Sequence, residues 1–98
     1  MSSAMEWVWG QPLNMRRKMV LGALLDQSGY SGEEFSFDLA LVSQRASLSE
    51  RYVVDSLKTL AQMGLITLIG DGAAKGRPAR IRLHLDVTAS AVDGRKLS

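Results

Sequence analysis

Residues Phe37–Gly64 read FDLALVSQRASLSERYVVDSLKTLAQMG and predict two helices joined by a short turn. We expect Ser36 to cap the first helix, which is short and ends near Arg45. Residues 46–49 break the pattern, because serines compete for backbone hydrogen bonds and favour turns and helix caps. A longer helix is then expected as far as Met63.

The longer helix has two candidate caps at its start. Ser47 and Glu50 have the spacing of a capping box, in which each side chain bonds the other residue's backbone N–H. Ser49 is a rival N-cap. Gly64 is expected just beyond the last turn, where the left-handed conformation suits glycine.

This longer helix is amphipathic. At 100° per residue, Val53, Leu57 and Leu60 fall on one side. The opposite side is polar and carries Arg51, Asp55, Lys58 and Gln62. We expect the first side to face the core and the second to face solvent.

The periodicity changes after Gly64. Leu65–Ile69 is apolar and β-branched, which predicts a strand. Ala79–Leu85 alternates apolar and polar residues, which predicts a half-buried strand. We expect the two strands to form a hairpin whose glycine-rich tip spans residues 70–78.

A third helix is expected before this region, from about Met15 to Gln27 with Asn14 as its cap. Its predicted apolar face consists of Met19, Val20, Ala23, Leu24 and Gln27. Residues 1–13 are expected to be a lead-in that packs on the domain, and residues 87–98 a flexible tail.

The predicted order is therefore three helices, a strand, a loop and a strand. A short helix, a short turn and a longer helix form a helix-turn-helix, and a hairpin directly after it gives a winged helix. We predict one α+β domain, mainly α, over residues 1–86: a three-helix winged helix-turn-helix with a C-terminal β-hairpin wing.

In a helix-turn-helix, the exposed face of the second helix enters the major groove of DNA. The candidates for DNA contact on or just before that helix are Ser47, Ser49, Arg51, Tyr52, Asp55 and Lys58. Arginine can bond guanine edges in a bidentate manner, and serine can reach a phosphate or a base. For Asp55 we favour an ion pair with Arg51 or Lys58. Tyr52 is either partly core or a DNA contact.

Three further candidates for DNA contact, Lys75, Arg77 and Arg80, lie in or beside the hairpin tip. Cations on such a loop can lie against phosphates or in the minor groove. The alternative is protection of an exposed strand edge, which lysine and proline also provide. We favour DNA because the helix pair precedes the hairpin.

The charges are unevenly distributed, although 12 basic and 10 acidic residues give a net charge of only +2. Residues 19–44 contain no cation and carry Asp26, Glu33, Glu34 and Asp38. Additional candidates for phosphate contact are Arg16, Arg17, Lys18 and Arg45. The first three lie in the first turn of a helix, where each exposed cation opposes the helix dipole by ~0.3–1 kcal/mol. We expect them to face either phosphate or the acidic segment.

Other classes of protein are disfavoured by composition. The chain has no cysteine and one histidine, His84, which excludes a disulfide framework and a thiolate metal site. We expect no enzymatic activity, no cofactor and no bound metal. No secretory signal or membrane-length apolar stretch is visible, so we expect a cytoplasmic protein without a membrane partner.

Three segments match a known pattern: KMVLGALLD at residues 18–26, LAxxSxxASLSERxV at residues 39–53 and LKxLxxxGLI at residues 57–66. With them, the chain from Trp7 to about Ile69 resembles the winged-helix DNA-binding domains of bacteriophage and plasmid replication proteins and related small regulators. The resemblance implies binding of double-stranded DNA, with Ser49, Arg51 and Lys58 as contacts.

We therefore expect sequence-specific binding of double-stranded DNA by a small transcriptional regulator from a phage or other mobile element. Many such regulators bind palindromic sites as dimers, so Trp7 and Trp9 are candidates for homodimer or partner contacts. We favour packing of both tryptophans against the first helix over such a contact. The alternative function is a protein-interaction module, such as a phage- or plasmid-encoded inhibitor of a host nucleoprotein complex.

Overall fold

The computed structural model describes residues 4–70 and 80–86. The helices of this part are α1 (Ala4–Trp9), α2 (Met15–Gln27), α3 (Leu39–Ala46) and α4 (Glu50–Gln62). The strands are β1 (Phe35–Ser36), β2 (Ile66–Ile69) and β3 (Arg80–Leu83), which form an antiparallel sheet in the order β1-β3-β2. The predicted class, α+β and mainly α, is confirmed.

The predicted number of helices was too low for the described residues, because part of the lead-in is itself helical. Val8 of α1 is fully buried and joins the core, while Met5 and Trp7 pack against it. The Gly10 N–H donates to the Glu6 carbonyl at 2.9 Å, which closes the last turn. This short helix therefore depends on packing against α2, since isolated helices of this length are unstable in water.

Each of the three longer helices begins at a side-chain cap. Asn14 caps α2 as predicted, and its Oδ1 accepts the Arg17 N–H at 2.8 Å. The prediction of Ser36 as the α3 cap was wrong: Asp38 Oδ1 accepts the Leu41 N–H at 3.1 Å. Ser36 instead belongs to β1, where its register partner is Arg80.

A further pair of hydrogen bonds joins the end of α2 to the start of α3. Gln27 Nε2 donates to the Asp38 carbonyl at 2.9 Å, and Gln27 Oε1 accepts the Asp38 N–H at 3.2 Å. Both groups of the amide are thus satisfied by one backbone residue. This contact fixes where α3 begins relative to α2.

The core lies between α2, α4 and the inner face of the sheet, and α1 and α3 cover its sides. Its fully buried large side chains are Leu21, Leu24, Leu25, Leu57, Leu60, Leu65, Ile81 and Leu83. The prediction of which α2 residues face the core was partly wrong. Met19 is 41% exposed, whereas Leu21 and Leu25 are buried, because α2 contacts both α1 and α3.

The predicted hairpin pairing between the last two strands is confirmed. Ile66 pairs with Leu83 and Ile69 with Arg80, in antiparallel register. Ile81 and Leu83 are buried, and Arg82 is exposed, so the predicted alternation holds within β3. Residues 71–78 of the predicted hairpin tip and the predicted tail of residues 87–98 lie outside the described residues.

Candidate nucleic-acid interface

The turn between α3 and α4 consists of Ser47, Leu48 and Ser49. Ser47 adopts a left-handed conformation, with φ 57° and ψ 43°, and ends α3. The Leu48 N–H donates to the Ser43 carbonyl at 3.0 Å, and the Ser43 hydroxyl donates to the Leu48 carbonyl. These bonds set the direction in which α4 leaves α3.

Ser49 is the N-cap of α4, which decides between the two candidates. Its Oγ accepts the Tyr52 N–H at 3.1 Å, and its φ and ψ, −68° and 153°, are extended. Ser47 therefore does not form the capping box with Glu50. Both serines remain exposed at the start of the helix.

The polar face of α4 is exposed as predicted. Its residues Arg51, Asp55, Lys58 and Gln62 are all exposed, while Val53, Leu57 and Leu60 are buried on the opposite face. The favoured pairing of Asp55 is not observed: among the described residues, no ion pair joins Asp55 to Arg51 or Lys58. This face thus combines two cations and one carboxylate that are accessible to solvent.

Arg16 and Tyr52 bring two helix starts together. The guanidinium carbon of Arg16 lies 5.9 Å from the centroid of the Tyr52 ring. Arg16 is exposed and Tyr52 is half-buried. The Arg16 side chain therefore reaches from the first turn of α2 to the first turn of α4, and it extends the polar surface of α4.

Three other cations that were candidates for DNA or phosphate contact bond to groups within this chain. The Lys18 ammonium donates to the Trp9 carbonyl at 2.8 Å, at the C-terminal end of α1. Arg45 forms an ion pair with Asp26, and Arg80 Nε lies 3.0 Å from Glu34 Oε1. Two of these contacts involve the acidic segment, which thus neutralises part of the positive charge. Each of these cations therefore has part of its charge or of its hydrogen-bonding capacity engaged by a partner within the chain.

The remaining residues predicted to contact phosphate, DNA or a partner differ in how far they are buried. Arg17 is half-buried, and its backbone N–H donates to the α2 cap. Trp7 is partly buried against the core, whereas Trp9 is 48% exposed. Lys75 and Arg77 lie outside the described residues. The basic cluster at residues 16–18 is therefore divided between a solvent-facing surface and structural contacts.

The outer face of the sheet carries polar groups that were not among the candidates for DNA contact. Thr67 Oγ1 and His84 Nε2 lie 2.6 Å apart, across β2 and the end of β3. Arg82 is exposed and is the register partner of Thr67. The alternation of residues 79–85 in the sequence already indicated that Arg82 faces outward.

Comparison with known proteins identifies no relative: no family model, curated protein or solved structure matches this chain. In the described part of the chain, no helix is long and apolar enough to cross a membrane. The same residues contain no cluster of three or more histidine, aspartate or glutamate side chains with the geometry of a metal site.

Proposed function

We propose that this chain is a winged-helix protein that binds double-stranded DNA in a sequence-specific manner, with α4 in the major groove. The observation that carries the proposal is the exposed polar face of α4, which follows α3 after a three-residue turn. An α-helix fits the major groove, where each base pair presents a distinct pattern of donors and acceptors. A helix that is polar on one face and core on the other suits this role.

The available cations support this proposal. Within residues 4–70 and 80–86, Arg16, Arg51, Lys58 and Arg82 are exposed and take part in no ion pair. Arg51 lies one residue inside α4, near the end of the helix that enters the groove first in this arrangement. Arg51 is therefore the proposed base contact, and Lys58 and Arg16 are proposed phosphate contacts.

The helix starts support the same orientation. The N-terminus of a helix carries a partial positive charge and unpaired backbone N–H groups, which favour phosphate. The Arg16 side chain spans from the start of α2 to the Tyr52 ring near the start of α4. In the proposed complex both face the phosphates that border one groove, and the β2–β3 hairpin lies beside the neighbouring backbone.

We further propose that the chain acts as a transcriptional regulator, with a phage or other mobile element as its source. The support is the order of elements, α2-β1-α3-α4-β2-β3, together with the motifs at residues 39–66. Double-stranded DNA is the proposed partner.

Selection of bound duplexes from a random pool tests this function. The expected result is an enriched sequence, and a palindrome would also indicate a dimer. Affinity for the selected duplex is then measured over a range of salt concentrations. If about 4–6 phosphates are contacted, log affinity is expected to fall with log salt at a slope of about −4 to −5.

Two double variants test whether the cations on the polar face of α4 are needed for binding. Arg51→Ala with Lys58→Ala is expected to abolish enrichment. Gln44→Ala with Gln62→Ala replaces two exposed helical residues without changing charge and is expected to bind normally. Failure of the wild-type chain to bind any duplex at low salt would refute the proposal.

A further inference from the structure

A groove with a volume of about 300 Å³ lies where α2 meets α1 and α3. Its lining includes Trp9, Met19 and Tyr30, and these residues are 48%, 41% and 49% exposed. Among the described residues, the one other exposed large apolar side chain is Met15. Exposed apolar groups concentrated at one concave place indicate binding more strongly than single exposed groups do.

The floor of the groove is formed by the small residues of α2. Gly22 lies inside the helix and has no positive φ, so its backbone does not require glycine. A Cβ at this position would meet the Met5 sulfur at 3.9 Å, an ordinary contact. Glycine here costs about 0.5–1 kcal/mol relative to alanine, and its effect is to leave the floor open.

One wall of the groove is held in a strained conformation. Tyr30 has φ 62°, which is unfavourable for a bulky residue, and its N–H donates to the Leu25 carbonyl at 3.0 Å. The end of α2 does not need a tyrosine for this bond, because glycine adopts the same φ without strain. Strained residues of this kind cluster at functional sites and ligand clamps.

The charges at the edge of the groove sum to +1. Lys18 and Arg45 are the cations and Asp26 is the anion. One donor of Lys18 bonds the Trp9 carbonyl, and one donor of Arg45 bonds Asp26. An ammonium has three N–H donors and a guanidinium has five, so both retain donors for a further acceptor. The groove is therefore complementary to a ligand with one negative charge.

We infer that this groove binds a small aromatic molecule that carries one anionic group. The ring lies among Trp9, Tyr30 and the Met19 thioether, and the anion lies near Lys18 and Arg45. Aromatic and methionine side chains with a few polar groups are typical of such sites, and the volume is at the lower end of their range. The inference does not depend on DNA binding.

The test uses 8-anilinonaphthalene-1-sulfonate, an aromatic monoanion, and its neutral analogue N-phenyl-1-naphthylamine. Fluorescence titration of the native chain is expected to give one bound sulfonate per chain. The neutral analogue is expected to bind at least fivefold more weakly. Equal affinity for the two probes would overturn the inference and leave the groove as an apolar surface for a protein partner.

Two variants distinguish a binding site from a merely structural feature. Tyr30→Gly is expected to weaken sulfonate binding at least fivefold while Tm stays equal or rises, because strain is relieved. Asp26→Asn is expected to strengthen sulfonate binding about threefold and to leave the neutral probe unaffected. Because a partly unfolded chain also binds this sulfonate, near-UV circular dichroism and Tm are measured for each variant, and a gain counts as site binding only where both match the wild-type chain.

Met15→Ala serves as the matched control, because Met15 is exposed but does not line the groove. It is expected to leave both affinities unchanged. The inference is wrong if Met15→Ala weakens binding as much as Tyr30→Gly, or if Asp26→Asn changes both probes alike.

Discussion

Arg16 lies over the ring of Tyr52, with 5.9 Å between the guanidinium carbon and the ring centroid. The contact joins the first turns of α2 and α4, which are distant in sequence. Arg16 remains exposed in this contact, and its guanidinium covers part of the half-buried Tyr52. The basic cluster at residues 16–18 is thus connected to the proposed DNA-binding helix.

Arg16→Ala is expected to weaken binding of all duplexes to a similar extent, because a phosphate contact carries no sequence information. The salt slope is expected to become shallower by about 1. Stability is expected to fall by no more than ~1 kcal/mol, the value of an exposed cation–π contact. Fluorescence anisotropy on a specific and an unrelated duplex measures the affinity and its salt slope. A loss of affinity confined to the specific duplex would contradict this role.

Arg51→Ala is expected to behave differently, by relaxing the base preference at one position of the selected site. The expected loss on the specific duplex is about 1–3 kcal/mol. Because Arg51 is exposed and forms no ion pair within the described part of the chain, urea unfolding should be nearly unchanged. Gln62→Ala, on the same face of α4, is the control. An equal loss on every duplex would assign Arg51 to phosphate instead.

Ser56→Ala is expected to stabilise the fold by about 1 kcal/mol. Ser56 is buried, and its hydroxyl has no hydrogen-bond partner within the described structure. Removing an unsatisfied buried hydroxyl removes its desolvation cost.

Ser43→Ala is the matched comparison, since its hydroxyl donates to the Leu48 carbonyl. It is expected to destabilise by about 1 kcal/mol. Thermal unfolding followed by circular dichroism should therefore show shifts of opposite sign, each of roughly 4–8 °C. Shifts of the same sign would contradict the assigned hydrogen bonds.

Two glycine-to-alanine substitutions are also expected to act in opposite directions. Gly22→Ala should stabilise by about 0.5–1 kcal/mol, since it lies inside α2 and the added methyl group meets only an ordinary contact.

Gly64→Ala should destabilise by about 1–2 kcal/mol, because φ +82° is unfavourable for alanine. The backbone around Gly64 satisfies the end of α4, where the Leu65 N–H donates to the Leu60 carbonyl at 3.0 Å. Urea midpoints at equal m-value provide the measurement. A stabilising Gly64→Ala would show that the turn can relax.

Much of the fold was predictable from local pattern. The spacing of Val53, Leu57 and Leu60 gave the buried face of α4, and the alternation after residue 79 gave the inward side of β3. Gly64 marked the end of α4 for a steric reason. The exposed candidates Arg51 and Lys58 followed from the same helical periodicity.

Other features depended on contacts between distant segments. The sequence could not show that Ser36 pairs with Arg80 in the sheet, which left Asp38 to cap α3. Residues 4–9 carry weak local signals, and they are helical because Val8 reaches the core. Met19 was assigned to the wrong side of α2 because the contacts of α2 with α1 and α3 decide which of its faces is buried.

The amino-acid sequence determined that α2, α3, α4, β2 and β3 form and which faces of α4 and β3 are apolar, since periodicity and caps act over a few residues. Tertiary structure decided which cations remain available. Lys18 contacts the end of α1, Arg45 contacts Asp26, and Arg16 lies over Tyr52 instead of facing an acid. Coulombic and hydrogen-bond energies depend on distance in space, and local sequence pattern does not fix the distance between segments that meet only in the folded chain.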